Sequence, residues 1–385
     1  MRIDKKVSVW QFMFVGACLM AYYCFIYSTK DCLRPSDGGS HVQTAGTLSV
    51  NRIVSQNSTG KGTDIMLVAY MRTGSTFIGD VLGRREDVFY WFEPLHKQRM
   101  LQYLRGRHFL CNYFRPICQL ISIHDSRSGV YALDLLTNIF NCNITGTIEE
   151  ISGLKYIWHT PPPSWMEFVT CTHRYTSKHP ICAGMLEKSC TNAKHRMVKV
   201  LRMDLETLAG LLHTNPRLKI VLLLRDPRGS MNSHLTTTWY KGFLDTDEHV
   251  NDDALVLCSR LLNDIKTGKR LQLLHPDRMI IIQYEDIDTE NKMEALSKLV
   301  DLDKLGENTF KLVTREDHVG TANSGFHPFN FRQQLNWTVN VMMNRHCADV
   351  YKELGLRQFD REEDLRDETI PVVINKLPFS VHMQP

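Results

Sequence analysis

The sequence predicts an α/β protein: a P-loop-like three-layer sandwich with a central parallel sheet, preceded by one transmembrane helix. Three observations carry this expectation. Short apolar runs (DIMLVAY at 64–70, LKIVLLL at 218–224 and MIIIQY at 279–284) alternate with segments of helical spacing, the pattern of a parallel sheet covered on both faces. The first run passes through Arg72-Thr73-Gly74 directly into a helical pattern. An uncharged stretch from Val7 to Thr29 comes before all of it.

That stretch is long and apolar enough to cross a bilayer as a helix at 7–27. Arg2, Lys5 and Lys6 against Asp4 put the positive excess before it, so residues 1–6 stay cytosolic and the rest lies outside the cytosol, a type II topology. A cleaved signal peptide is the alternative, but about 21 apolar residues exceed the usual h-region of such peptides. Residues 28–62 contain no aromatic side chain and are rich in Ser, Thr and Gly, so they read as a flexible stem before a lumenal domain at 63–385. Sequons at Asn57, Asn143 and Asn336 fit lumenal exposure.

Composition narrows the class. The chain has 385 residues, 43% of them hydrophobic, which suits a globular body and excludes a disordered or fibrous one. Its net charge of +4, with no basic tract beyond the N-terminus, excludes a nucleic-acid binder held by bulk phosphate attraction. Of 11 cysteines, Cys18, Cys24 and Cys32 lie in or beside the span, leaving 11 − 3 = 8 in the body, none in a CxxC pair. An even set in an oxidising compartment suits disulfides, with the connectivity left open.

Within the body, 64–70 reads as a buried strand and Phe77, Ile78, Val81 and Leu82 as the apolar face of a helix opened by Ser75 and Thr76. Val88–Phe92 is a second strand, stopped by Pro94, so that Glu93 stands at its carboxyl end. From about 97 to 196 the signal weakens, and an irregular, disulfide-tied insertion is expected. Met197–Leu201 reads as a strand, Asp204–His213 as a helix and Leu218–Leu224 as a strand; Asp226 then caps, and Pro227 opens, a helix running through Ser233. Met279–Tyr284 is a further strand, followed by helical patterns at 292–300 and 332–354.

Two strand ends carry chemistry. Ala69 to Thr76 has P-loop spacing, with Ala for the first glycine and Ser75 for the lysine. Backbone N–H groups at the turn, the hydroxyls of Thr73, Ser75 and Thr76, and the helix dipole would all favour an anion, with Arg72 as the cation. Arg225 ends a second buried strand, and Ser233 lies two turns into the next helix, so the two make a second phosphate clamp. A Walker-B reading, with Asp226 holding Mg²⁺ in an ATP-dependent phosphotransferase, is the rival, as is a non-catalytic lumenal glycan-binding protein. Two phosphate sites, with no lysine in the first loop, suit a bisphosphorylated nucleotide better than ATP.

RTGSTF at 72–77 and RDPRGSMNS at 225–233 resemble the 5′-phosphosulfate loop and the 3′-phosphate segment of Golgi sulfotransferases. FEPLH at 92–96, YED at 284–286 and the late Arg332, Trp337, Cys347 and Tyr351 look most like the galactose/N-acetylglucosamine/N-acetylgalactosamine 6-O group of carbohydrate sulfotransferases. Thr76 departs from the second serine more usual there and keeps the hydroxyl. The resemblance implies 3′-phosphoadenosine 5′-phosphosulfate (PAPS) as donor and no required metal. It implies a glycan acceptor on a glycoprotein or proteoglycan, and a Golgi membrane location with the catalytic domain lumenal; a homodimer stays open.

On that resemblance Arg72, Thr73, Gly74, Ser75, Thr76, Phe77, Arg225 and Ser233 hold the donor, with Tyr284 lining the nucleotide site. Arg72 also stabilises leaving-group charge. Glu93, 21 residues after Arg72 at the end of the expected adjacent strand, is the general base, an arrangement shared with the related tyrosylprotein sulfotransferases; His96 is the rival base. Arg228 is expected on the outer side of its helix and receives no role.

Overall fold

The computed structural model describes residues 62–97, 100–104, 107–111, 118–121, 127–145, 162–175, 180–201, 203–237, 246–287, 289–302, 305, 328–375 and 377. These lie in one compact unit, Thr59–Pro385. The expected span at 7–27 and the stem up to 61 fall outside them, and among the described residues no helix is long and apolar enough to cross a membrane.

Among the described residues eight strands follow in order: β1 Asp64–Val68, β2 Val88–Phe92, β3 Met100–Leu104, β4 Arg107–Cys111, β5 Cys118–Ile121, β6 His195–Val200, β7 Leu218–Leu224 and β8 Met279–Gln283. The longer helices are α1 Ser75–Gly83, α2 Arg127–Phe140, α3 Met166–Arg174, α4 Pro180–Asn192, α5 Pro227–Thr236, α6 Asp247–Leu274, α7 Glu290–Leu299 and α8 Trp337–Leu354. Five strands form one sheet in the order β2-β6-β1-β7-β8, every pair parallel.

Successive residues of a strand point to opposite faces, and here each face has its own core. Met66, Val68, Phe89, Trp91, Ile220 and Leu222 pack with apolar residues of α2, α6 and α8; Ile65, Leu67, Tyr90, Val221 and Leu223 pack with those of α1 and α7. Burial on both faces is why the strands read as unbroken apolar runs. From central β1 the sheet grows one way to β6 and β2 and the other way to β7 and β8, which makes the carboxyl ends of β1 and β7 the switch point where such sheets bind ligands.

The region expected to be irregular is largely regular where it is described. It contains the antiparallel sheet β3-β4-β5 and helices α2, α3 and α4. Its disulfides do what was expected of them: Cys142–Cys190 ties the end of α2 to α4, and Cys171–Cys182 ties α3 to α4. A third, Cys258–Cys347, joins α6 to α8. The helix expected over 204–213 is two single turns, Leu205–Leu208 and Leu211–Thr214, with Asp204 capping the first. The pattern at 332–354 likewise splits, because Asn336 caps α8 afresh by accepting the Thr338 N–H at 2.8 Å. The 28-residue α6 had no counterpart among the expected elements, although Val250, Ala254, Leu257, Leu261 and Ile265 keep helical spacing behind a Thr246 cap.

Candidate functional site

The turn after β1 is wound tightly. Arg72 and Gly74 both take left-handed backbone, with φ of 64° and 85°, and Gly74 is the N-cap of α1. No side chain caps this helix and no acidic residue sits in its first turn; the first helical N–H to reach a carbonyl is that of Ile78, on Gly74 O at 3.2 Å. The helix thus opens on its positive end without a side-chain cap, an arrangement that suits an anion.

Side chains modify the expectation for this loop. Thr73 is buried and its hydroxyl donates to Tyr70 O at 2.8 Å, so that proton supports the turn and is not offered to a ligand. Phe77 is half-buried and packs against the apolar core of the α1 face. Thr76 is exposed.

The second strand end meets the first. Arg225 donates from Nη1 to Arg72 O at 2.8 Å, and Arg72 donates from Nε to Ser233 Oγ at 2.9 Å. The Arg225 guanidinium lies over the Tyr284 ring at 4.8 Å, and a Cβ added to Gly74 would stand 2.1 Å from that ring. Arg72, Gly74, Arg225, Ser233 and Tyr284, chosen from separate segments, thus form one cluster. Desolvation and then the Arg225 charge lower the Arg72 guanidinium, and Arg225 Nε is buried without a hydrogen-bond partner. Two neighbouring like charges are stabilised by a bound anion.

Glu93 directly follows β2. Its backbone is left-handed (φ 46°), its N–H reaches Lys199 O at 3.1 Å, and its Oε1 lies 3.0 Å from Lys199 Nζ. The same ammonium donates to Thr76 Oγ1 at 3.0 Å and sits 3.6 Å from the centre of the Phe92 ring. His96 lies in the single turn Pro94–Lys97, with its side chain outside the described residues.

The Sulfotransferase domain family matches residues 62–309, or 309 − 61 = 248 of the 385 residues. The chain belongs to this family. Carbohydrate sulfotransferase 1 of Homo sapiens is 24% identical over 370 residues, covering 83% of this chain and 85% of that protein. The Mus musculus protein of the same name is 23% identical over 365 residues, covering 81% and 83%. Carbohydrate sulfotransferase 3 of Rattus norvegicus is 22% identical over 272 residues, covering 60% and 52%. Among solved structures, the sulfotransferase domain from the Synechococcus PCC 7002 olefin synthase aligns over 75% of this chain and 96% of that one, at 12% identity and a TM-score of 0.37.

In this sulfotransferase Arg228 overturns its expected placement on the outer side of α5. It is fully buried, and its Nε and Nη2 hold both oxygens of Asp226 at 3.0 and 2.7 Å. The rings of Phe331, Tyr351 and Phe359 surround it at 5.1, 4.6 and 5.2 Å. The Asp226 carboxylate also accepts the Arg228 N–H, as the cap expected of it. With both oxygens taken by an internal guanidinium, Asp226 is not available as the Mg²⁺ ligand of a Walker-B strand. Among the described residues no cluster of three or more metal-ligating side chains occurs.

Two residues of the site were missed by the sequence reading. Lys199 is a fully buried lysine within β6, and the signal was a lone cation inside the apolar run MVKVL. Glu285, in the YED turn, accepts the Asp226 N–H on Oε1 at 2.9 Å and so fixes the residue after Arg225. Burial and then the Asp226 charge raise its carboxyl to about 7.

Proposed function

We propose that this sulfotransferase transfers the sulfuryl group of PAPS to a sugar hydroxyl by in-line displacement. The acceptor is the 6-OH of GlcNAc, Gal or GalNAc in a glycoprotein glycan or proteoglycan, met in the Golgi lumen by an enzyme anchored as a type II protein. The observation that carries the reading is the chain of contacts Arg225–Arg72–Ser233 beside the uncapped N-terminus of α1, with Glu93 tied through Lys199 to Thr76 in the first turn of that helix. The named carbohydrate sulfotransferases among its relatives support the sugar acceptor.

The residues present fit the donor. Backbone N–H groups at the start of α1, the Thr76 hydroxyl and Arg72 would hold the 5′-phosphosulfate; Arg225, with its unused Nε, and Ser233 would hold the 3′-phosphate, beside the Tyr284 ring. The donor supplies the sulfuryl group. Glu93 takes the proton of the acceptor hydroxyl as the new O–S bond forms and the S–O bond to the 5′-phosphate breaks, while Arg72 balances charge on the departing oxygen. A positioned base of this kind is worth roughly 10²–10⁴ in rate. Lys199 keeps Glu93 turned toward the loop.

The test is incubation of the full-length chain with radiolabelled PAPS and a panel of glycans, alongside thermal shifts with 3′-phosphoadenosine 5′-phosphate and with ATP·Mg²⁺. Label in a sugar acceptor and a shift with the bisphosphate alone are expected. A shift with ATP·Mg²⁺ and none with the bisphosphate would return the chain to the phosphotransferase reading, and label in no glycan would remove the sugar acceptor.

A further inference from the structure

Ser233 and His234 are consecutive on α5, and both reach the turn after β1. Ser233 receives Arg72 Nε, whereas His234 places Nε2 3.3 Å from Met71 O, the carbonyl just before Arg72. The other nitrogen, Nδ1, lies 2.9 Å from Asp253 Oδ2 on α6. His234 is buried and Asp253 is partly buried. A neutral imidazole has one N–H to donate and an imidazolium has two; here both facing atoms are oxygens, one a carbonyl and one a carboxylate. Both contacts are hydrogen bonds only when the ring carries both protons.

We infer that His234 is a positioning residue of the donor loop, linking Asp253 of the long helix α6 to the Met71 carbonyl and thereby holding Arg72 in its left-handed turn. This rests on the donor role given to the loop above. The charged groups around the ring fit it. Asp253 faces it from α6, and from the loop comes Arg72, whose guanidinium donates to Ser233 next to the ring and feels the charge of Arg225. The left-handed Arg72 is a conformation that a non-glycine residue adopts at a cost of about 1–2 kcal/mol, so it persists only where neighbours hold both sides. Arg225 holds the carbonyl after Met71, that of Arg72 itself, and His234 holds that of Met71.

The experiment uses the full-length chain in two measurements. In the first, hydrogen–deuterium exchange of the ligand-free protein is followed in peptides covering 69–78. His234→Ala and Asp253→Asn are expected to raise uptake there, while His234→Gln, which keeps an N–H near the position of Nε2, stays close to wild type. In the second, His234→Ala is expected to weaken 3′-phosphoadenosine 5′-phosphate binding and raise the PAPS KM by about tenfold, the scale of one hydrogen bond, with the acceptor KM unchanged. Unaltered exchange in both His234→Ala and Asp253→Asn overturns the inference, as does equal loosening in His234→Gln and His234→Ala. If wild type binds no bisphosphate, the donor reading of the loop fails by itself, and the exchange result still decides the tether. Asp253→Asn lies at a partly exposed position and keeps the test decisive should His234→Ala fail to fold.

Discussion

Lys199 Nζ stands 3.0 Å from Glu93 Oε1 and 3.0 Å from Thr76 Oγ1, so one buried ammonium joins the proposed base to the first turn of α1. The register explains the meeting: β6 lies between β1 and β2, with Lys199 opposite Leu67 on one side and Phe92 on the other. Lys199→Met removes the ammonium from beside a buried carboxylate, a loss of about 3–5 kcal/mol for a broken buried pair. Turnover should fall by roughly 10²-fold or more, while bisphosphate affinity changes only by the lost Thr76 contact of about 1 kcal/mol. Steady-state kinetics beside calorimetric nucleotide titration separate the two. Wild-type kcat in a folded Lys199→Met enzyme would remove Lys199 from the mechanism.

What the sequence disclosed about this site follows from how local each signal was. Arg72, Gly74, Arg225 and Ser233 sit within strand–turn–helix units, where an apolar run and the residues just after it fix their place. Glu93 was legible because Pro94 marks the strand end. Lys199 acquires meaning only from the order β2-β6-β1, which places a strand from over 100 residues later between two early ones. Arg228 was misplaced for a related reason: Phe331, Tyr351 and Phe359, which surround it, lie over 100 residues away. Helix α6 was lost because charged residues interrupt its apolar positions, so that a helical stripe over 247–274 carries no unbroken run.

Gly74 is required by both conformation and space. Its φ of 85° disfavours any side chain, and a Cβ would overlap Tyr284 Cε2 at 2.1 Å. Gly74→Ala should displace the tyrosine from Arg225 and cost about 1–2 kcal/mol in backbone strain alone. Donor KM is expected to rise about tenfold or more, and adding Tyr284→Ala should return only the part due to the clash. A donor KM unchanged in Gly74→Ala would contradict the packing of ring on loop.

The Asp226–Arg228 pair is wholly internal, so breaking it should register as stability. Removing one member leaves a buried charge, at roughly 3–5 kcal/mol, whereas removing both leaves none. Arg228→Met is expected to lower the urea midpoint of the full-length chain strongly, and Asp226→Asn likewise. The double variant should be less destabilised than the sum of the two. Additive losses would show that the carboxylate and guanidinium are not coupled.

Glu285 sets a stability that depends on pH. Burial, with the Asp226 charge adding to it, raises its carboxyl from 4.5 to about 7, so between those values the folded protein holds a proton that the unfolded chain releases. The stabilisation is complete below about pH 4.5 and is lost as pH rises toward 7, amounting to about 3 kcal/mol at 1.36 kcal/mol per pKa unit. Asp264, buried and raised to about 6, gives a slope of the same sign over a lower window. Glu285→Gln has nothing to deprotonate and can still accept the Asp226 N–H through its carbonyl. Denaturation at a series of pH values should therefore show the variant gaining on wild type as pH rises from about 4.5 to 7. The slope that remains in the variant should carry Asp264's share below about pH 6. Subtracting the two curves cancels the histidines, which titrate in both proteins. A difference that stays flat across pH 4.5 to 7 would mean that Glu285 is already ionised in the fold, held so by Arg225.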